Sequence, residues 1–162
     1  MRKAYLKDLE KEELIKLLVE LSRLHEENRA FLEARLLSDY TGLFQVACEK
    51  IQGAFSSFES LSLKDARQAL YDFRKANPDN AMLIDLYRYY IQKAYELEKT
   101  DWRFQESFYS AIERVFGMII DILKEDPSLK ERYHTALMKI ISQANEGWNH
   151  KDTLKDMYEE LV

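Results

Sequence analysis

Only six of the 162 residues are glycine or proline: Gly42, Gly53, Gly117, Gly147, Pro78 and Pro127. These two residue types interrupt helices most strongly, glycine through backbone entropy and proline through its missing N–H. Each proline directly follows a residue able to cap a helix, in Asn77-Pro78 and Asp126-Pro127. Proline at the first helical position loses nothing, because the amide there has no helical partner. Both pairs therefore read as the close of one helix and the start of the next. The pattern predicts an all-α fold of about seven helices in antiparallel hairpins, as a helical bundle or a short α-α superhelix.

Hydrophobic periodicity places the helices. Leu14, Leu17, Leu18, Leu21 and Leu24 recur at spacings of three and four and share one face of a helix over 11–24. Asn28 reads as the cap of a second helix through Phe31, Leu32 and Leu36, broken at 38–41. A third covers about 42–55, with Phe44, Ala47, Cys48, Ile51 and Phe55 inward. Residues 56–62, Ser-Ser-Phe-Glu-Ser-Leu-Ser, are the most loop-like stretch. The chain reads as one domain, 1–162, with this stretch as the one place for a seam between an N-terminal module, 1–55, and a hairpin module, 63–162. Ser62 and Asp65 resemble a capping box that opens a helix to about Ala76. Further helices follow Pro78 to about Glu98, span about 104–125, and follow Pro127 to about Glu146. Gly147 reads as a left-handed stop and Asn149 as the cap of a last short helix. The 49-residue offset between the prolines is close to the length of a helical-repeat unit. Any two helical hairpins align about as well.

Composition narrows the function. The net charge is −5, and an acidic chain with no basic block is a poor match to nucleic acid or anionic lipid, where attraction to phosphate dominates. Residues 61–100 carry a slight basic excess, so a local basic patch is to be sought at Arg67, Arg74, Lys75 and Arg88. No apolar run is long enough to cross a bilayer, and the first residues hold no leader-like stretch. With one cysteine, Cys48, read as a small core residue, the expectation is a cytoplasmic protein without disulfides.

No glycine-rich phosphate loop, paired cysteines, Gly-x-Ser-x-Gly or zinc spacing occurs, and no cofactor or metal is expected. Glu131 and His134 form a single i, i+3 pair, where di-iron bundles use two such pairs with further glutamates. Trp148, His150 and Asp152 lie together in Gly147-Trp-Asn-His-Lys-Asp. They read either as a small polar site against an aromatic wall or as a helix corner, with Trp148 packed on the new helix. Ten tyrosines are present, and Tyr87, Tyr89, Tyr90 and Tyr95 crowd one helix. Tyr87 and Tyr90 fall on its apolar stripe. Tyr89 points elsewhere, beside Arg88 and Lys93, and exposed Tyr with Arg is a common binding hot spot.

Three segments resemble a family of small bacterial proteins grouped as a domain of unknown function. They are Asp8–Leu21 leading to Phe31–Leu36, Ala69–Lys75 followed by Leu86–Tyr90, and Gly147–Tyr158. The resemblance spans most of the chain and implies an all-helical fold. It carries no activity with it.

The leading functional expectation is a cytoplasmic interaction module that presents a helix face or shallow groove to a protein or peptide, with Arg88, Tyr89 and Lys93 as candidate contacts. The alternative is a small-ligand protein or enzyme with a site at Trp148, His150 and Asp152, reached by Glu131 and His134. A weak nucleic-acid contact through Arg67–Arg88 comes third.

Overall fold

The computed structural model describes residues 3–161. Among these the chain forms nine α-helices, two 3-10 turns and no strand, so the all-α expectation holds. The chain divides into two compact units, Met1–Val46 and Ala47–Val162, and the division falls inside a helix. Residues 56–62, where the sequence offers a seam, lie within the second unit. They form a turn closed by serine hydroxyls: Ser56 Oγ lies 2.8 Å from Ser60 Oγ, and Ser57 Oγ accepts from Ser60 N at 3.2 Å.

The first unit holds α1 (Lys3–Lys7), α2 (Lys11–Leu24), α3 (Glu26–Leu37) and the start of α4 (Thr41–Ala54). One extended residue, His25, joins α2 to α3. Asn28 therefore lies inside α3 rather than capping it. Its amide donates to Leu21 O at 3.0 Å, satisfying a carbonyl that the end of α2 leaves open. Ser38 turns left-handed to end α3. Asp39 Oδ1 accepts from Thr41 N at 3.0 Å at the start of α4. Ala30 and Ala34 are buried, and a Cβ at Gly42 would sit 3.4 Å from that of Ala30, so small side chains set this close approach. No residue of α2 is buried.

The second unit is built on α6 (Asn80–Glu98) and α7 (Glu106–Glu125). Tyr109 Oη donates to Glu98 at 2.8 Å at one end, and Asn80 reaches Asp126 at 3.5 Å at the other, so the two helices run antiparallel. α5 (Leu63–Lys75) packs on α6, while α8 (Lys130–Gln143) and α9 (His150–Glu159) close the opposite side. Phe73, Ile84, Ile91, Ile112, Phe116 and Leu123 are almost wholly buried. Each contributes about 1.5–3 kcal/mol through its apolar surface.

Ser62 opens its helix as expected, while the two proline pairs assign their roles differently. Ser62 Oγ accepts from Asp65 N at 3.2 Å and opens α5. At Asn77-Pro78 the cap is Asp79, whose Oδ1 accepts from Met82 N at 2.8 Å. Asn77 instead takes the left-handed conformation (φ 60°) just past the end of α5, a place that suits a short polar side chain. At Asp126-Pro127, proline does begin the next turn, but a 3-10 turn over Pro127–Leu129, and Asp126 accepts from Ser128 Oγ at 2.6 Å.

Candidate functional site: a cationic groove between two helices

α5 and α7 both rest on α6 and leave a groove of about 450 Å³ between them. A helix brings residues three, four and seven apart onto one face. On α5 this aligns Lys64, Arg67, Tyr71 and Arg74, with Leu63 and Leu70 beneath them. On α7 it aligns Ser107, Ser110, Arg114 and Met118, with Ala111 and Val115. Tyr90 of α6 contributes to the floor, fixed from below by an edge-on contact with Phe55 at 5.0 Å between ring centres. The lining therefore combines an apolar bed, four cations, two serines and two tyrosines, in the size range of ligand-binding clefts.

No acidic residue lines the groove, and none of its four cations is ion-paired among the described residues. Several basic residues elsewhere hold an acid nearby, as Lys75 holds Asp72 and Lys93 holds Glu96. The field in the groove is felt by its floor. Burial pushes the Tyr90 phenol up to about 12, while Arg67 and Arg114 act in the opposite direction by favouring the phenolate. Two acids, Asp121 and Glu125, line an adjoining hollow that shares Arg74 and Met118 with the groove. An anionic group entering the groove thus meets unneutralised guanidinium, which binds carboxylate in a bidentate fork.

Two of the four residues proposed from the sequence as a basic patch, Arg67 and Arg74, face this groove. Lys75 turns to Asp72 at 3.1 Å and lies over the Tyr71 ring, and Arg88 pairs with Asp85 at 3.0 Å. Lys64 and Arg114 were not singled out. Lys64 was within reach of the sequence, since it continues the row of Arg67 and Arg74 on one face of α5. Arg114 was not, because its place depends on which helix packs beside α5.

Arg88, Tyr89 and Lys93 are half-buried and each has a neighbour. Tyr89 Oη donates to Gln52 at 3.3 Å, and Lys93 holds Glu96 at 2.7 Å while lying 5.4 Å from the centre of the Tyr89 ring. Arg88 also lies 5.6 Å from the Tyr133 ring centre. The three make contacts with side chains of α4, α6 and α8.

Trp148, His150 and Asp152 occupy three different environments. His150 is wholly buried. Its Nδ1 lies 2.8 Å from Glu113 and its Nε2 3.0 Å from Tyr95 Oη. A carboxylate only accepts, so Nδ1–H donates to Glu113, and in the neutral imidazole Nε2 then accepts the Tyr95 hydroxyl proton. Trp148 is 57% exposed, and Asp152 faces out with Lys155 at 3.1 Å. The corner differs from its sequence reading. α8 ends at Gln143, Gly147 is not left-handed, and Trp148 and Asn149 carry the positive φ, 57° each. Asn149 makes no side-chain cap, and more than half of the Trp148 surface is open. Asn145 turns the chain instead, its Oδ1 accepting from Gly147 N at 2.7 Å. The left-handed conformation costs roughly 1–2 kcal/mol at Trp148 and less at Asn149, whose short polar side chain tolerates it. The buried hydrogen bonds of His150 offset that cost.

His134 bonds Tyr158 Oη through Nδ1, beside an open hollow that Glu131 also lines. Tyr158 lies eight residues beyond His150 on α9, about 12 Å along the axis. His134 and His150 thus bind separate partners and do not share a site. No cluster of three or more His, Cys, Asp or Glu is arranged to hold a metal ion among the described residues. No helix among them is long and apolar enough to cross a membrane. No family model, curated protein or solved structure matches this chain.

Proposed function

We propose that this chain is a protein-interaction module that seats an acidic-edged apolar segment of a partner protein in the groove between α5 and α7. The observation that carries this reading is the set of unpaired cations, Lys64, Arg67, Arg74 and Arg114, around an apolar bed on a chain of net charge −5. Leaving like charges together unneutralised opposes folding, and an acidic ligand relieves it. The spread of the charges favours a peptide over a ligand with a single head group. Lys64 to Arg74 is ten residues, about 15 Å along a helix, so the cations address several carboxylates in a row. The net charge of −5 disfavours nucleic acid, whose phosphates an acidic chain repels. A cytoplasmic setting belongs to the same reading. Burial pushes the single thiol, Cys48, up to about 11, the behaviour of a thiol that is packed rather than reactive.

The test uses a fluorescein-labelled amphipathic helical peptide, with leucines at spacings of three and four and glutamates seven apart along one edge. Its affinity should fall by about 30-fold in the double variant Arg67→Glu with Arg114→Glu, and fall with added salt. A matched peptide with lysine for glutamate should bind weakly. Equal binding of both peptides, or unchanged binding by the variant, would remove the basis of the proposal. A short DNA duplex that outcompetes the acidic peptide would redirect the reading to nucleic acid.

A further inference from the structure

The chain itself carries a segment of the chemistry that the groove calls for. α2 presents Leu14, Leu17, Leu21 and Leu24 along one row. Leu17, Leu21 and Leu24 remain 46%, 45% and 68% exposed. At 100° per residue, Glu13 and Glu20 lie along one edge of this row, while Lys16 and Arg23 fall further round on the polar side. An amphipathic helix normally buries such a stripe.

Two dimensions of α2 match the groove. Leu14 to Leu24 spans ten residues, about 15 Å, the same length as Lys64 to Arg74 on α5. Glu13 and Glu20 are seven residues apart, and so are Arg67 and Arg74, giving both pairs a spacing of about 10 Å along their helices. The leucine row fits the bed of Leu63, Leu70, Val115 and Met118, and the acidic edge fits the cationic wall. Glu13 gives one carboxylate oxygen to Glu10 N at 2.9 Å, leaving the other oxygen for a guanidinium.

Resting on the groove being a seat for acidic-edged helices, we infer that its occupant is α2 of a second copy of this chain. Exchange is reciprocal: each copy places its α2 in the other's groove. Two such contacts close a two-fold dimer and leave neither groove open for a third copy.

The experiment is sedimentation equilibrium on the full chain across micromolar concentrations, with two charge-reversed variants. One carries Arg67→Glu with Arg74→Glu, the other Glu13→Arg with Glu20→Arg. The wild type should sediment at twice the chain mass. Each variant alone should dissociate about 100-fold more readily. An equimolar mixture of the two should recover the dimer, because each reversed α2 then meets a reversed groove. Recovery in the mixture also shows that neither variant failed by misfolding. Glu20→Arg alone, which leaves the Glu13 contact at the start of α2 intact, should weaken association in the same direction. A monomeric wild type, dimers that persist in both variants, or a mixture that stays monomeric would each overturn the inference. If the wild type is monomeric while the acidic probe peptide still binds the groove, self-exchange fails and the interaction module stands. If the probe does not bind either, both fail.

Discussion

His150 and Trp148 stand two residues apart and have opposite fates, which composition alone could not distinguish. The partners that draw His150 inward, Glu113 and Tyr95, lie 37 and 55 residues away in sequence. Only the packing of α6, α7 and α9 brings them together, so the sequence could mark the corner without assigning its residues. The consequences are measurable by chemical denaturation. His150→Ala should lower stability by about 2–4 kcal/mol, because it leaves a buried hydroxyl and a largely covered carboxylate unpaired. Trp148→Gly should raise stability by about 0.5–1 kcal/mol, since it removes a bulky residue from left-handed backbone and gives up little packing. A loss of more than about 1 kcal/mol in the Trp148 variant would show packing that its exposure conceals.

Most of the helix bounds were legible because they depend on local chemistry. The leucine period placed α2 at Lys11–Leu24, and the bounds of α5 to α7 fall within a few residues of the expected ones. The caps were less legible, because several neighbouring polar residues could each serve. Asn77 and Asp79 flank Pro78, and the structure gives the capping role to Asp79. Asp79→Ala should therefore cost about 1 kcal/mol. Asn77→Gly should be neutral or slightly stabilising, as expected for a left-handed position. A reversed order in thermal melts would return the cap to Asn77. Leu17, Leu21 and Leu24 show the limit of periodicity. It identifies which residues share a face, but whether that face is covered is decided outside the helix. The cationic row of α5 was half-read for the same reason. Arg67 and Arg74 stood out, while the apolar bed and Arg114 that complete the groove come from other helices.

At the scale of the whole molecule, Tyr87, Tyr90 and Tyr95 of the crowded set are buried, and with Tyr133 they carry a pH signature. Burial pushes Tyr90 and Tyr133 up to about 12 from the ordinary 10, and Tyr95 higher still, with the carboxylates of Glu98 and Glu113 adding to the effect. Folding favours the neutral phenol in each case. Their contribution is therefore fully present below the unfolded value near 10 and is lost as pH climbs through about 12. The urea midpoint should fall across that interval in step with tyrosinate absorbance. Complete tyrosinate formation near pH 10 with no loss of stability would contradict the burial. The two Pro-centred hairpins do not behave as repeats of one unit. Asp79 caps α6 directly, whereas Pro127 opens a 3-10 turn ahead of α8. What distinguishes the molecule is the groove that α5 and α7 leave over Tyr90. The most direct measurement is an amide NMR titration of the full chain with the glutamate-edged leucine peptide. The account expects shifts in Leu63–Arg74 and Ser107–Met118, joined by those of the α2 that the peptide displaces, saturating with peptide and receding as salt is added. Saturable shifts centred on the Trp148 corner or on Arg88 and Tyr89, with the groove amides unmoved, would contradict it.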